Sequence, residues 1–166
     1  MSTPDESESE LAALIANAAE SASDESTDGQ AAAVRAAPAC DVLIADDAGA
    51  SRELLSAILR NFGGPIEIRE ARNGHEAVQM WHRLRPRITL LDIDMPGLDG
   101  LTALQQLRSI DADAFIAIVS GGSSIDNVKQ ALALGAAGFV IKPYKPQRIV
   151  DLLQRYQEKS GHNLMR

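Results

Sequence analysis

The sequence has little of what several classes of protein require. Its single cysteine, Cys40, cannot form an internal disulfide or a zinc cluster, which is typical of proteins in a reducing cytosol. No apolar run approaches the roughly 20 residues that span a bilayer, and the longest, Ala131 to Ile141, contains two glycines. There is no basic stripe, and the formal net charge is −7. We therefore expect a cytoplasmic protein without membrane insertion and without direct binding to nucleic acid.

The negative charge is confined to the first part of the chain. Residues 1–39 hold eight acids and one base, whereas the remaining 127 residues hold 15 acids and 15 bases. The segment is rich in Ser and Ala, has no aromatic residue, and lacks the basic and apolar regions of a targeting signal. It buries too little apolar surface to offset its ordering entropy. We therefore expect residues 1–38, called the leader below, to be an acidic and mostly disordered tail.

A short helix over residues 8–20 of the leader is the alternative to complete disorder. A capping-box pattern, Ser7 to Glu10, precedes apolar residues at helical spacing, namely Leu11, Leu14, Ile15, Ala18 and Ala19. Such a helix would be either solvated or docked on a partner or on the rest of the chain.

Residues 39–160 show five apolar runs that alternate with five amphipathic stretches. The predicted strands are 41–45, 66–71, 88–91, 115–119 and 139–141. The predicted helices are 51–62, 75–84, 101–107, 125–134 and 147–156. Five successive βα units indicate one α/β domain with a parallel sheet covered by helices on both faces. Residues 161–166 are expected to be a short C-terminal tail, without an output domain.

Polar residues follow four of the predicted strands directly. Asp46 and Asp47 follow the first strand; the others are Asp92 and Asp94 after the third, Ser120 after the fourth and Lys142 after the fifth. Ligands of open parallel sheets bind beyond the carboxyl ends of the strands, so these side chains should converge. Clustered carboxylates need a compensating cation, and oxygen ligands suit Mg²⁺. An ionised aspartate beside a lysine and a hydroxyl can accept a phosphoryl group. Each residue alone has a plain structural explanation, but together they indicate phosphoryl chemistry.

Four segments resemble the receiver domain of response regulators in two-component signal transduction. They are Ile44–Asp47, Leu90–Gly100, Ile118–Gly121 and Gly135–Tyr144. The resemblance covers roughly Asp41 to Tyr156, and this part of the chain is similar to the single-domain chemotaxis regulators. It implies a flavodoxin-like, doubly wound sheet of five parallel strands in the order 2-1-3-4-5, with five helices.

The resemblance implies a role for each acid. Asp92 would accept the phosphoryl group from a sensor histidine kinase or a histidine phosphotransfer protein. Asp47 would bind Mg²⁺ directly and Asp46 through water, while Asp92 and the backbone carbonyl of Asp94 complete the protein ligands. The side chain of Asp94 adds negative charge beside the acceptor, so the lifetime of the aspartyl phosphate should differ from that of relatives with a neutral residue there, in a direction the sequence leaves open.

The resemblance also implies a switch. Lys142 would pair with the phosphoryl oxygens and precede a cis peptide to Pro143, and Ser120, where threonine is commoner, would move to hydrogen-bond the phosphoryl group. Phe139 would then turn inward. These movements would alter the face formed by the fourth helix, the fifth strand and the fifth helix. Residues of that face include Val128, Lys129, Phe139 and Tyr144.

The expected function is therefore that of a stand-alone response regulator that is not an enzyme and switches protein–protein interactions. One alternative is a receiver fold that binds partners without phosphorylation. The other is a phosphatase of the haloacid-dehalogenase type, because Asp92 and Asp94 resemble its nucleophile and acid–base pair. The chain order of the acids disfavours the phosphatase, since Asp46 and Asp47 precede the nucleophile by 45 residues.

Overall fold

The computed structural model describes residues 37–121 and 124–165. The predictions for a disordered leader and for a helix over residues 8–20 lie outside the described residues. Within them, five strands and five helices alternate strictly along the chain. The strands are β1 (Val42–Ala45), β2 (Ile68–Ala71), β3 (Ile88–Leu91), β4 (Phe115–Ser120) and β5 (Gly138–Ile141). The helices are α1 (Gly49–Phe62), α2 (Gly74–Leu84), α3 (Gly100–Ile110), α4 (Ile125–Ala133) and α5 (Pro146–Ser160).

The five strands form one parallel sheet in the order β2-β1-β3-β4-β5. This confirms the predicted fold class and strand order. The register sets the last residues of neighbouring strands side by side: Ala45 of β1 is opposite both Ala71 of β2 and Leu91 of β3. The residues that follow β1 and β3 are therefore neighbours at the carboxyl edge of the sheet. None of the helices in the described part of the chain is long and apolar enough to cross a bilayer.

Capping residues explain why two helices, α2 and α3, begin one residue before their predicted starts. The side chain of Asn73 accepts a hydrogen bond from the backbone N–H of Glu76 at 2.8 Å, and α2 therefore begins at Gly74. Asp99 accepts from the N–H of Thr102 at 2.8 Å in the same way at the start of α3. These bonds satisfy backbone donors that the first helical turn otherwise leaves without partners.

Two apolar layers enclose the sheet. One lies under α2, α3 and α4 and includes Trp81 and Phe139, and the other lies under α1 and α5. Every residue of β1, β3 and β4 is buried, as expected for central strands covered on both faces. The prediction of helices on both faces of the sheet is therefore confirmed.

The residues after α5 return to the body of the domain. Gly63 and Met165 form an antiparallel bridge, and the N–H of Gly64 donates to the carbonyl of Leu164 at 2.9 Å. The Leu164 side chain is only 6% exposed and joins the apolar layer under α1 and α5. This part of the predicted C-terminal tail therefore contributes to the core.

Thr89 of β3 carries a buried hydroxyl. Its side chain is 1% exposed, and among the described residues Oγ1 has no hydrogen-bond partner. A buried polar group without a partner costs about 1–3 kcal/mol. We expect Thr89→Val to leave the free energy of unfolding in urea unchanged or to raise it by about 1 kcal/mol. Thr102→Val, on a partly exposed helix, is the matched control and should change it little; a clear loss of stability in Thr89→Val would contradict the prediction.

Candidate functional site

The carboxyl edge of the sheet brings together four of the predicted site residues. The N–H of Asp46 donates to the carbonyl of Ala71 at 3.1 Å, and the N–H of Asp92 donates to the carbonyl of Ala45 at 2.9 Å. The N–H of Lys142 donates to the carbonyl of Ser120 at 3.0 Å. Sheet-like hydrogen bonding thus continues one residue past the strands and fixes the backbone from which the functional side chains project.

Both carboxylate oxygens of Asp92 accept hydrogen bonds. Ser120 Oγ donates to Oδ1 at 2.7 Å, and the backbone N–H of Asp94 approaches the same oxygen at 3.3 Å. Lys142 Nζ lies 3.3 Å from Oδ2. Asp92 is 7% exposed, so the carboxylate is nearly enclosed while its oxygens remain surrounded by donors.

The ammonium of Lys142 links three elements of the domain. Nζ donates to Asp46 Oδ2 at 2.5 Å and to Asp92 Oδ2 at 3.3 Å. It also lies 3.2 Å from Ser51 Oγ in the first turn of α1. The three contacts match the three hydrogens of an ammonium group. The peptide bond between Lys142 and Pro143 is cis, as the resemblance implied.

Burial and charge act against each other on Asp92 and Lys142. Burial raises the pKa of Asp92, and the hydrogen bond from Ser120 and the charge of Lys142 only partly offset this, while the charge of Asp46 adds to the increase. Burial alone would lower the pKa of Lys142, but the hydrogen bond that its ammonium donates to Asp46 and the charges of both carboxylates outweigh this effect and raise the pKa overall. Lys142 is therefore positively charged at neutral pH.

Three carboxylates form a group that suits a divalent cation. Asp46, Asp47 and Asp92 each offer a carboxylate oxygen, and these atoms lie within 4.8 Å of one another. Asp46 and Asp92 are buried, whereas Asp47 is exposed. Among the ion pairs between described residues, the Lys142 ammonium is the cation that meets these three formal negative charges, so the group retains an excess of negative charge. Hard oxygen donors with excess charge fit Mg²⁺. The side chain of Asp94 is exposed and lies outside this group.

Both residues of the predicted switch lie inward. Ser120 is fully buried, and Phe139 is 3% exposed and belongs to the apolar layer that also contains Val128. Lys129 on the same helix is exposed. Tyr144 is half-buried, and burial together with the charge of Asp46 raises the pKa of its phenol to about 12. The α4-β5-α5 face therefore adjoins the candidate site through Tyr144.

Several residues in contact with this site were not predicted for it, and two of them are Ser51 and Gly100. Ser51 contacts the Lys142 ammonium, and a signal for it exists, because it lies four residues after Asp47 at the start of a helix. The second is Gly100, where a Cβ atom would lie 2.0 Å from the carbonyl oxygen of Asp92. Only a residue without a side chain allows α3 to begin so close to the backbone of the predicted acceptor.

Replacement of Lys142 by glutamine should destabilise the protein mainly when Mg²⁺ is absent. The change removes the ammonium that forms ion pairs with Asp46 and Asp92. We expect a loss of about 1–2 kcal/mol in EDTA, less than for a fully buried ion pair because Lys142 is partly exposed, and a clearly smaller loss in excess Mg²⁺. Thermal unfolding in both buffers measures this, with the exposed Lys145→Gln as the matched control. Equal losses in the two buffers would contradict the explanation.

Comparisons with known proteins point to one family. A family model described as the response regulator receiver domain matches residues 42–154. The chemotaxis protein CheY of Thermotoga maritima is 37% identical over 114 residues, which are 69% of this chain and 94% of that protein.

Solved structures agree with this result. The receiver domain of NtrX from Brucella abortus is 30% identical, with a TM-score of 0.66 over 72% of this chain and 100% of that one. A chain in a CheX-CheY-BeF3-Mg complex from Borrelia burgdorferi is also 30% identical, with a TM-score of 0.64 over 72% of this chain and 88% of that one.

Proposed function

The chain belongs to the response regulator receiver-domain family, whose members are signalling domains, and from that premise we propose that it accepts a phosphoryl group on Asp92 and switches protein–protein interactions. One observation carries the proposal: Asp92 is a buried carboxylate held between the Ser120 hydroxyl and the Lys142 ammonium, 2.7 and 3.3 Å away. In this role the protein is a response regulator and not an enzyme that turns over a substrate.

In the proposed transfer, a carboxylate oxygen of Asp92 attacks the phosphorus of a phosphohistidine on a sensor kinase or phosphotransfer protein. An oxygen–phosphorus bond forms, the phosphorus–nitrogen bond breaks, and its electron pair returns to the imidazole. Lys142 and Ser120 supply positive charge and a hydrogen bond to the phosphoryl oxygens. Asp46, Asp47, Asp92 and the backbone carbonyl of Asp94 would hold Mg²⁺, which offsets negative charge during the transfer.

The switch follows from the hydroxyl of Ser120. In the proposed phosphorylated state, Ser120 Oγ moves its hydrogen bond from Asp92 Oδ1 to a phosphoryl oxygen. Phe139 lies two residues before Ile141, the partner of Ser120 across the sheet. The expected inward turn of Phe139 does not apply to this structure, because its side chain is already inward at 3% exposure, and we propose instead that phosphorylation holds it there. The conformational equilibrium of the α4-β5-α5 face shifts because the phosphoryl group interacts more favourably with one of its states.

The downstream partner is proposed to be a protein that binds the α4-β5-α5 face. The similar chain from Borrelia burgdorferi was solved in a CheX-CheY-BeF3-Mg complex. This supports the proposal that the present chain also binds a partner protein. In the proposed division of the chain, residues 39–160 are the receiver domain, residues 1–38 the leader and residues 161–166 a terminal segment. The proposed location is the cytoplasm.

Acetyl phosphate provides the test, since it is a phosphoryl donor that needs no cognate kinase. The protein should gain the mass of one phosphoryl group when it is incubated with acetyl phosphate and Mg²⁺, and EDTA should prevent the gain. Absence of labelling, together with undiminished partner binding, would favour the phosphorylation-independent module. Continuous hydrolysis of a small phosphate ester would instead favour the phosphatase.

A further inference from the structure

Ser51, in the first turn of α1, contacts the candidate site but has no part in the transfer proposed above. Its Oγ lies 3.2 Å from Lys142 Nζ, across 91 residues of sequence, so the contact is tertiary and not local. The helix begins after Ala48, whose side chain makes no capping hydrogen bond, and Ser51 follows three residues later. The Ser51 hydroxyl therefore does not serve as the N-cap of its own helix and is directed at a distant ammonium group.

The ammonium of Lys142 is not centred between the two buried carboxylates. Nζ is 2.5 Å from Asp46 Oδ2 but 3.3 Å from Asp92 Oδ2. The second distance is slightly beyond the usual limit of about 3.2 Å for an N–H···O hydrogen bond, so a small movement of Nζ would break this contact first. The position of the ammonium relative to Asp92 therefore depends on its remaining acceptor, which is Ser51 Oγ.

An open pocket of about 330 Å³ beside Ser51 and Lys142 offers the ammonium another position. The side chain of Lys142 is 22% exposed and ends a flexible four-carbon stem, so it can turn toward water in this pocket. Of the three acceptors of Nζ among the described residues, Ser51 Oγ is the one without charge. It holds the third hydrogen of the ammonium without adding a fourth negative charge to the carboxylate group.

We propose that Ser51 is a positioning residue for the phosphoryl transfer, because its hydroxyl keeps the Lys142 ammonium beside Asp92 and out of the open pocket. The inference rests on the proposed function, since Lys142 must stabilise a phosphoryl group for its position to matter. Ser51 acts through the ammonium. Without the hydroxyl, one ammonium hydrogen turns to water, and positive charge moves away from the oxygens on which negative charge develops.

Labelling kinetics of the full-length chain test this role, with acetyl phosphate as donor in excess Mg²⁺ and intact mass as the measurement. Ser51→Ala should lower the maximal rate about three- to tenfold, because a misplaced charge costs transition-state stabilisation. The donor concentration at half-maximal rate should change little. Ser51→Thr keeps the hydroxyl and should recover most of the rate. Ser109→Ala is the matched control and should label at the wild-type rate, since the exposed Ser109 bonds within its own helix.

The ammonium resonance of Lys142 in ¹⁵N-labelled protein, measured at low temperature without a donor, separates positioning from a general structural effect. Hydrogen-bonded protons are protected from exchange with water. The resonance, identified by its loss in Lys142→Gln, should be visible in the wild type and in Ser51→Thr but broadened beyond detection in Ser51→Ala.

Two results would overturn the role of Ser51 while the proposed function stands: a labelled wild type with an equal maximal rate in Ser51→Ala, or an unchanged ammonium resonance in that variant. If acetyl phosphate does not label the wild type, the proposed function fails, and the role of Ser51 fails with it.

Discussion

Asp92→Asn is expected to abolish labelling by acetyl phosphate. The amide keeps the shape of the side chain and can still accept the hydrogen bond from Ser120, but it is not a nucleophile toward phosphorus. Loss of the carboxylate of Asp92 should reduce incorporation of the phosphoryl group to background, while the variant remains folded. Intact mass after incubation with Mg²⁺ measures the effect, and near-native circular dichroism of the variant shows that the loss is chemical.

Two isosteric changes in the same loop serve as controls for Asp92→Asn. Asp94→Asn removes an exposed charge two residues away, and Asp99→Asn alters a helix cap that asparagine also fills well. Both variants should still be labelled to completion. Asp94→Asn additionally shows, by the rate at which the label disappears, whether the extra carboxylate changes the lifetime of the aspartyl phosphate. Undiminished labelling of Asp92→Asn would refute Asp92 as the acceptor.

Asp92→Asn should also stabilise the protein in EDTA. Burial raises the pKa of Asp92 above its ordinary value. At pH values between the pKa of the unfolded state and that of the folded state, the folded state therefore binds more protons than the unfolded state. Stability contributed by this group therefore falls as pH rises from the unfolded pKa through the folded pKa, and remains low at neutral pH. An uncharged amide does not carry the cost of a buried negative charge. The variant should therefore melt a few degrees higher than the wild type at pH 7.

Leu164→Ala is expected to lower the free energy of unfolding by about 2–4 kcal/mol, although it lies close to the end of the sequence. Leu164 is 6% exposed and packs in the layer under α1 and α5. Truncation of a buried leucine removes its transfer free energy and leaves a cavity. The result can be read from urea unfolding at constant m-value.

Leu54→Ala is the matched control, because it makes the same chemical change on a helix surface. Leu54 is 52% exposed, so its truncation should alter stability by less than about 0.5 kcal/mol. If the two variants unfolded at the same urea concentration, the residues after α5 would not be part of the cooperative unit. A larger loss in Leu164→Ala would establish that the domain requires its last residues.

Local pattern was enough to predict most of the fold. Alternation of apolar runs with amphipathic stretches identified all five strands and all five helices. Each helix buries its apolar face against the apolar strands of the sheet, and this requirement is visible in the sequence. The convergence of Asp46, Asp92, Ser120 and Lys142 followed from topology alone, since the carboxyl ends of parallel strands meet at one edge. Ser120 was predicted to follow β4 but is its last residue, because it still pairs with Ile141 of β5. The family resemblance supplied the strand order, which periodicity does not contain.

What the sequence did not predict depends on contacts between distant segments. The start of β2 moved from residue 66 to Ile68, because pairing with β1 defines the strand and apolar character does not. Gly100 and the return of Leu164 onto the core depend on how closely two backbones approach. The contact of Ser51 with Lys142 depends on the rotation of α1 about its axis. The spacing from Asp47 alone does not determine which residue of the first helical turn faces the site.

Both ends of the described chain lie at the same pole of the domain. Pro38 precedes β1, and Met165 is bridged to Gly63 after α1, so each belongs to the amino-terminal edge of the sheet. Asp92 belongs to the opposite edge. A fluorescent label, a biotin or a sensor surface attached at Pro38 or Met165 would therefore hold the domain by the amino-terminal edge of the sheet and leave the edge that carries Asp92 pointing into solution.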